Sequence, residues 1–402
     1  MAFDFATPVE RRHPGAGLQH GGPSNWPSNW PSQKWHRYGE EVLPLWVADM
    51  DFISPPAVLE ALRARVDHGV FGYGLVPDSL RETLCAWSER HYGWPIEPDW
   101  QLWLPGVVPA LHLASLALTE PGDGVLTVTP IYPPFLRVAE RTGRTPQQAA
   151  MAEPEAPGEP WRLDLEALEA AITPRTRLLL WCHPHNPTGR VWRRDELAGL
   201  AELVERHGLY VVSDELHCDL LLEEGARHVP LAVAFPELAA RTLTLWAPSK
   251  TFNLAGLTTA CAVIPDATLR RRFAAAIKGL VPDGNVLGLV AAEAAYGQGD
   301  PWRQALLEVL RNHRRALAER VARWPGVTMS APESTYLAWL DLRRAPALAG
   351  AASPQRALLE RAGVALSDGA DFGWPGYARL NFGTTATQLE AALARLDGVL
   401  GG

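Results

Sequence analysis

The sequence predicts an α/β protein built on a mostly parallel sheet with helices on both faces. Two observations carry that expectation. The runs GVLTVTP, RTRLLLWCHP, GLYVVSDE, RTLTLWAPSK and LTTACAVIP are apolar nearly throughout instead of alternating, as strands buried on both faces require. Stretches with apolar residues at helical spacing, such as DELAGLAELVERHG, separate them, which is the order a βα sequence needs.

Before the first of these strands, PPAVLEALRARVDHG and PDSLRETLCAWSERHYG each open on proline and close on glycine. Proline's missing N–H does no harm in a first turn, and glycine accepts a left-handed cap, so two helices are expected from residue 55 onward. After the last strand run, residues 285–324 read as a long helical stretch interrupted near Gly297 to Pro301. VTMSAPESTYLAWLDL, ARLNFG and the final helical run read as a smaller α+β domain. The expected organisation is an N-terminal arm and part of the small domain at 1–54, a large domain at 55–295 and a C-terminal small domain at 296–402, closely packed around a cleft.

Residues 23–32 read PSNWPSNWPS, a tandem duplication. Proline fixes φ and lacks a donor, so an extended arm is expected and not a helix. Trp26 and Trp30 either ride on a loose extension or dock onto the body or a partner subunit, because exposed indoles are unfavourable.

Composition narrows the class. The chain has 402 residues, 47% of them hydrophobic and 20% charged, an ordinary globular balance with material for a large core. A net charge of −8 argues against a nucleic-acid surface, which needs a basic face. Cys85, Cys182, Cys218 and Cys261 form no CxxC pair and read as reduced thiols. The acidic, h-region-free N-terminus predicts no signal peptide, and no apolar run approaches the roughly 20 residues of a membrane span. The cytoplasm is the expected compartment, and small metabolites are the expected partners.

Polar residues end the strand runs where a core would not want them. His183, His185 and Asn186 follow RLLLWC; Asp214 and Glu215 follow YVVS; Ser249 and Lys250 follow LTLWAP; Tyr132 follows VLTVTPI. Ligands of open α/β sheets sit outside the carboxyl ends of the strands, so Tyr132, Asn186, Asp214 and Lys250 are expected to converge on one crevice. Their chemistry suits one cofactor. A lysine can form an imine with an aldehyde and later move a proton at a substrate α-carbon. An aspartate can pair with a protonated pyridine nitrogen, provided hydrogen bonds offset the desolvation of both charges. An asparagine can donate to a ring oxygen, and a tyrosine can stack on the ring. His183, His185, His217, Cys182 and Cys218 match no zinc spacing, so no metal is expected.

HNPTGRVW, VVSDELHCDL and APSKTFNLAGL, in that order and spacing, resemble the fold-type I pyridoxal 5′-phosphate enzymes of the aspartate aminotransferase superfamily. LPLWVADMDF, HGVFGYG, PGVVPAL and YLAWLDL narrow the resemblance to the MalY/PatB-type cystathionine β-lyases, from about Lys34 to the C-terminus. The resemblance implies a mostly parallel seven-stranded sheet with a smaller α+β domain, and pyridoxal 5′-phosphate as the cofactor. It gives Lys250 the imine and proton-transfer roles, Asp214 the pyridine nitrogen, Asn186 the ring oxygen and Tyr132 the ring face. Arg379, in YARLNFG, would grip the substrate α-carboxylate, with Asn186 beside it. Gly106, Val107 and Val108 would present backbone N–H groups to the phosphate, with Ser249 adding a hydroxyl. Tyr73, in GYG, would reach the phosphate from the neighbouring subunit, which implies a homodimer with shared sites.

Two positions depart from the wider superfamily. Ala247 stands where a serine or threonine is common, and Thr258 stands where a phosphate-binding arginine is common. The expected activity is β-elimination from L-cystathionine or another S-substituted cysteine, giving thiol, pyruvate and ammonia. An aminotransferase uses the same residues and is the first alternative. A non-catalytic binding or regulatory protein on the same scaffold is the second.

Overall fold

The computed structural model describes residues 3–12, 32–282 and 284–401, so Trp26 and Trp30 of the duplicated PSNW stretch lie outside the described residues. A seven-stranded sheet forms the centre, in the spatial order Gln101–Leu104, Ala260–Val263, Thr242–Trp246, Tyr210–Asp214, Thr176–Cys182, Gly124–Thr129 and Thr145–Ala150. Only Ala260–Val263 runs against its neighbours; the remaining strands are parallel to one another.

The five apolar runs became its inner strands, and they are buried along almost their whole length. Leu178, Leu180, Val212, Leu243 and Leu245 have essentially no exposure, and burial of such side chains contributes about 1.5–3 kcal/mol each. The two edge strands carried no comparable sequence pattern. Thr145–Ala150 reads TPQQAA and is largely exposed, because an edge strand has one open side that polar residues suit.

Helices Pro56–His68 and Asp78–Tyr92 form where expected, each closed by a glycine in the left-handed region. The interruption of the later helical stretch falls at Gly299, between Val286–Gln298 and Asp300–Val321. A Cβ there would lie 2.4 Å from the Ala295 carbonyl oxygen and 2.6 Å from the Phe252 ring, so the tight corner requires glycine. A second, antiparallel sheet joins Ser367–Asp368, Tyr377–Asn381, Leu337–Asp341 and Thr328–Met329. The two-residue strand Leu43–Pro44 pairs in parallel with Val364–Ala365, tying an early segment to this late part of the chain.

Register places the polar strand ends side by side. Cys182 lies opposite Asp214, and Asp214 opposite Leu245, so the segments after three adjacent strands leave the sheet together.

Candidate active site

Those segments enclose a cavity of about 200 Å³. Lys250, Asp214, Asn186, Tyr132, Val107, Val108 and Ser249 all line it, together with Gly106. The convergence expected from the sequence is therefore present within one chain.

Lys250 sits in the single-turn helix Pro248–Thr251 directly after strand Thr242–Trp246. Its Nζ donates to the Ala48 carbonyl at 2.6 Å. Burial, aided by Arg379, brings its ammonium down to about 8, against the pull of the Asp49 and Asp214 carboxylates. Asp214 is the last residue of its strand. Its Oδ1 accepts from the Leu216 N–H at 3.1 Å, and its Oδ2 has no partner among the described residues. Burial pushes this carboxyl up to about 7, with Glu215 adding to the rise and the Leu216 N–H and Lys250 pulling the other way.

Asn186 and Tyr132 are joined through their main chains, since the Tyr132 N–H donates to the Asn186 carbonyl at 3.2 Å. Burial raises the Tyr132 phenol above its ordinary range. Val107 and Val108 open helix Val107–Leu118, and Gly106 precedes it at φ +150°, a conformation L side chains rarely adopt. First-turn N–H groups have no intrahelical acceptor, so this end offers donors to an anion. Ser249 and Thr258 add hydroxyls to the same lining.

Arg379 is buried on strand Tyr377–Asn381. Its Nη1 donates to Asn186 Oδ1 at 3.0 Å, its Nη2 to the Trp46 carbonyl at 3.1 Å, and its guanidinium carbon lies 4.8 Å from the centre of the Phe372 ring. Burial lowers it to about 10, and its buried Nε finds no acceptor among the described residues. Arg379 is not itself among the residues lining the cavity, which it reaches through Asn186.

Tyr73 stands apart. It is wholly exposed in the loop between helices Pro56–His68 and Asp78–Tyr92, and does not line the cavity of its own chain. Among the described residues no group of three or more His, Cys, Asp or Glu is placed to hold a metal, and the four cysteines are free thiols.

Sequence reasoning missed several groups here. The carbonyls of Trp46 and Ala48 are main-chain acceptors, which no residue type announces. Tyr336 donates to the same Ala48 carbonyl at 3.1 Å. His217, weighed from the sequence only as a metal ligand, lines the cavity with no side-chain hydrogen bond among the described residues, and burial lowers it to about 3. Its place three residues after Asp214 was the available clue.

Residues 40–396 match the family model for aminotransferase class I and II. The chain belongs to that family. Within it, the chain is 39% identical over 379 residues to cystathionine beta-lyase PatB of Bacillus subtilis (strain 168), covering 92% of this chain and 96% of that one. Among solved structures it is similar to OvoB, with a TM-score of 0.90, 41% identity and 99% of each chain covered. It is also similar to cystalysin from Treponema denticola, a structure that contains pyridoxal 5′-phosphate, with a TM-score of 0.88, 30% identity and 99% of each chain covered. The chain is a fold-type I member of the aminotransferase class I and II family.

Proposed function

We propose that this protein is a carbon–sulfur β-lyase that cleaves L-cystathionine or other S-substituted cysteines to a thiol, pyruvate and ammonia. The observation that carries the reading is the single cavity lined by Lys250, Asp214, Asn186 and Tyr132. Support comes from relatives named cystathionine beta-lyase at 39% and 35% identity, each over about nine-tenths of this chain.

Pyridoxal 5′-phosphate is the cofactor, and when bound it takes up the electron pair left at the substrate α-carbon. The residues present fit it. Lys250 is the attachment point for the aldehyde. Asp214, raised by burial and open at Oδ2, would pair with a protonated ring nitrogen. Asn186, with Oδ1 engaged by Arg379, has its NH₂ left to donate to the ring oxygen. Tyr132 offers a ring face. The helix N-terminus at Val107 and Val108, with the Ser249 and Thr258 hydroxyls, would receive the phosphate without the superfamily's usual arginine.

Arg379 holds the substrate carboxylate and thereby fixes the α-carbon near Lys250. Burial leaves the Lys250 amine neutral often enough near pH 8 to take the α-proton. Departure of the β-substituent as a thiolate then completes the elimination, and water hydrolyses the released aminoacrylate to pyruvate and ammonia. The enzyme is read as a homodimer in which Tyr73 reaches the neighbouring chain's phosphate site, supported by its full exposure beside exposed Val70, Phe71 and Leu75. Among the described residues no helix is long and apolar enough to cross a membrane, which is compatible with a cytoplasmic enzyme.

The test is a product screen with several S-substituted cysteines. Equimolar thiol, pyruvate and ammonia, formed without an added keto acid, is the expected result. An absolute need for a keto acid, with no thiol released, would make the protein an aminotransferase.

A further inference from the structure

Residues 46–52 form no regular strand, yet their carbonyls hold the two cationic side chains of the site. The Ala48 carbonyl accepts from Lys250 Nζ and the Trp46 carbonyl from Arg379 Nη2. The position of this segment therefore sets the positions of both. Two asparagines secure its main chain: Asn381 Nδ2 donates to the Val47 and Asp49 carbonyls, and Asn253 Nδ2 to those of Met50 and Phe52.

A second hold is ionic and comes from the N-terminal arm. Asp51 is almost fully buried, and it accepts from Lys34 Nζ at 2.7 Å, Arg11 Nη1 at 2.6 Å and Trp35 Nε1 at 2.8 Å. Arg11 forks across the segment, donating also to Asp49 Oδ2 at 2.7 Å and to the Met50 carbonyl at 3.2 Å. Lys34, itself buried, reaches the Asp49 carbonyl at 3.2 Å. Buried ion pairs add little net stability, because desolvation offsets the Coulomb gain, but several directed hydrogen bonds on one carboxylate fix its place. Arg11 and Lys34 lie on two separate described stretches, and both reach Asp51.

We infer that Arg11, Lys34 and Asp51 are positioning residues for the reaction: they lock residues 46–52 so that the Trp46 and Ala48 carbonyls hold Arg379 and Lys250 in register. This deepens the reading above and rests on Lys250 and Arg379 having the roles given there. Arg11 and Lys34 thereby belong to the active-site framework. The charged groups acting on Lys250 are the Asp49 and Asp214 carboxylates and the Arg379 guanidinium, with neutral His217 and the Tyr336 hydroxyl nearby. Arg11 partly neutralises Asp49, so its loss strengthens the pull of Asp49 on a proton at the Lys250 nitrogen, whether that nitrogen is free or joined to the aldehyde.

The experiment uses the full-length holoenzyme and the variants Arg11→Met, Arg11→Lys and the double variant Lys34→Met with Asp51→Leu, which removes the buried Lys34–Asp51 pair together while Arg11 keeps Asp49 and the Met50 carbonyl. Arg11→Met is expected to move the pH midpoint of the cofactor's visible absorbance up by about half a pH unit and to lower kcat/KM about tenfold. Arg11→Lys is expected to restore the midpoint but not kcat/KM, since one ammonium cannot span both carboxylates. The double variant is expected to fold and to show the same loss of kcat/KM. Unchanged midpoints, with kcat/KM within about twofold of wild type in Arg11→Met and the double variant, would reduce the cluster to a structural element. Borohydride reduction of the wild type followed by peptide mapping separates the two readings. If label on Lys250 is absent, the underlying assignment fails; if it is present and the variants behave as wild type, the positioning role fails.

Discussion

Arg379 donates from Nη1 to Oδ1 of Asn186 at 3.0 Å, joining a residue of the antiparallel sheet to one at a strand end of the large sheet. One hydrogen bond thus couples the group proposed for the substrate carboxylate to the group proposed for the cofactor ring.

Arg379→Lys is expected to lower kcat/KM by about a hundredfold although the charge is kept, because a lysine cannot serve Asn186, the Trp46 carbonyl and a carboxylate at once. Steady-state kinetics with one S-substituted cysteine measures it. A loss below threefold would mean that another cation holds the substrate.

Once substrate has displaced it from the aldehyde, Lys250 must be neutral to accept a proton, so kcat should rise with pH and level off above about 8, where burial has set its ammonium. In Arg379→Met a neighbouring cation is gone and the lysine proton is held more firmly. The ascending limb of kcat against pH should therefore move to higher pH. A shift in the other direction would assign the limb to a different group.

Asp214→Asn removes the charge proposed to face the ring nitrogen and should cost about a hundredfold or more in kcat, with a smaller effect on KM. In cofactor-free wild type the same carboxyl, raised to about 7, favours the folded state's protonated form. The folded protein then binds more protons than the unfolded one between the ordinary carboxylate range and pH 7, so apo-protein stability attributable to Asp214 falls as pH rises through that window. The difference in melting temperature between holo- and apo-protein should widen from pH 5 to pH 8, as scanning calorimetry can show.

Glu215, the next residue, is wholly buried and accepts from His228 Nε2 at 2.7 Å, Ser213 Oγ at 2.8 Å, the Leu231 N–H at 3.1 Å and Trp246 Nε1 at 3.3 Å. Glu215→Ala strands these donors and should destabilise the fold by about 3–5 kcal/mol, measured by denaturant unfolding. Burial works to raise this carboxyl, but His228 outweighs it and holds it below the usual range. Its contribution is complete above the ordinary carboxylate pKa and is lost as pH falls through the lowered one.

Two inactive variants should restore each other if Tyr73 serves the neighbouring chain. Mixing Lys250→Ala with Tyr73→Ala under conditions that exchange subunits builds heterodimers with one complete site, and about a quarter of wild-type activity per chain is expected. Mixtures no more active than their components would place Tyr73 outside the site.

The residues themselves determined much of this protein. Continuous apolar runs can be satisfied only inside a covered sheet, so the inner strands and the helices between them were legible, and the polar residues breaking each run at its carboxyl end marked the crevice. Edge strand Thr145–Ala150 was not, because half of its surroundings is water and its composition resembles a loop. The tertiary structure alone decided which backbone carbonyls meet Lys250 and Arg379. It also decided that Arg11 and Lys34 close on Asp51, and that the wholly exposed Tyr73 has no place in its own chain's cavity. Main-chain acceptors are identical at every position and long-range ion pairs carry no spacing, so such contacts exist only once the chain has been brought together.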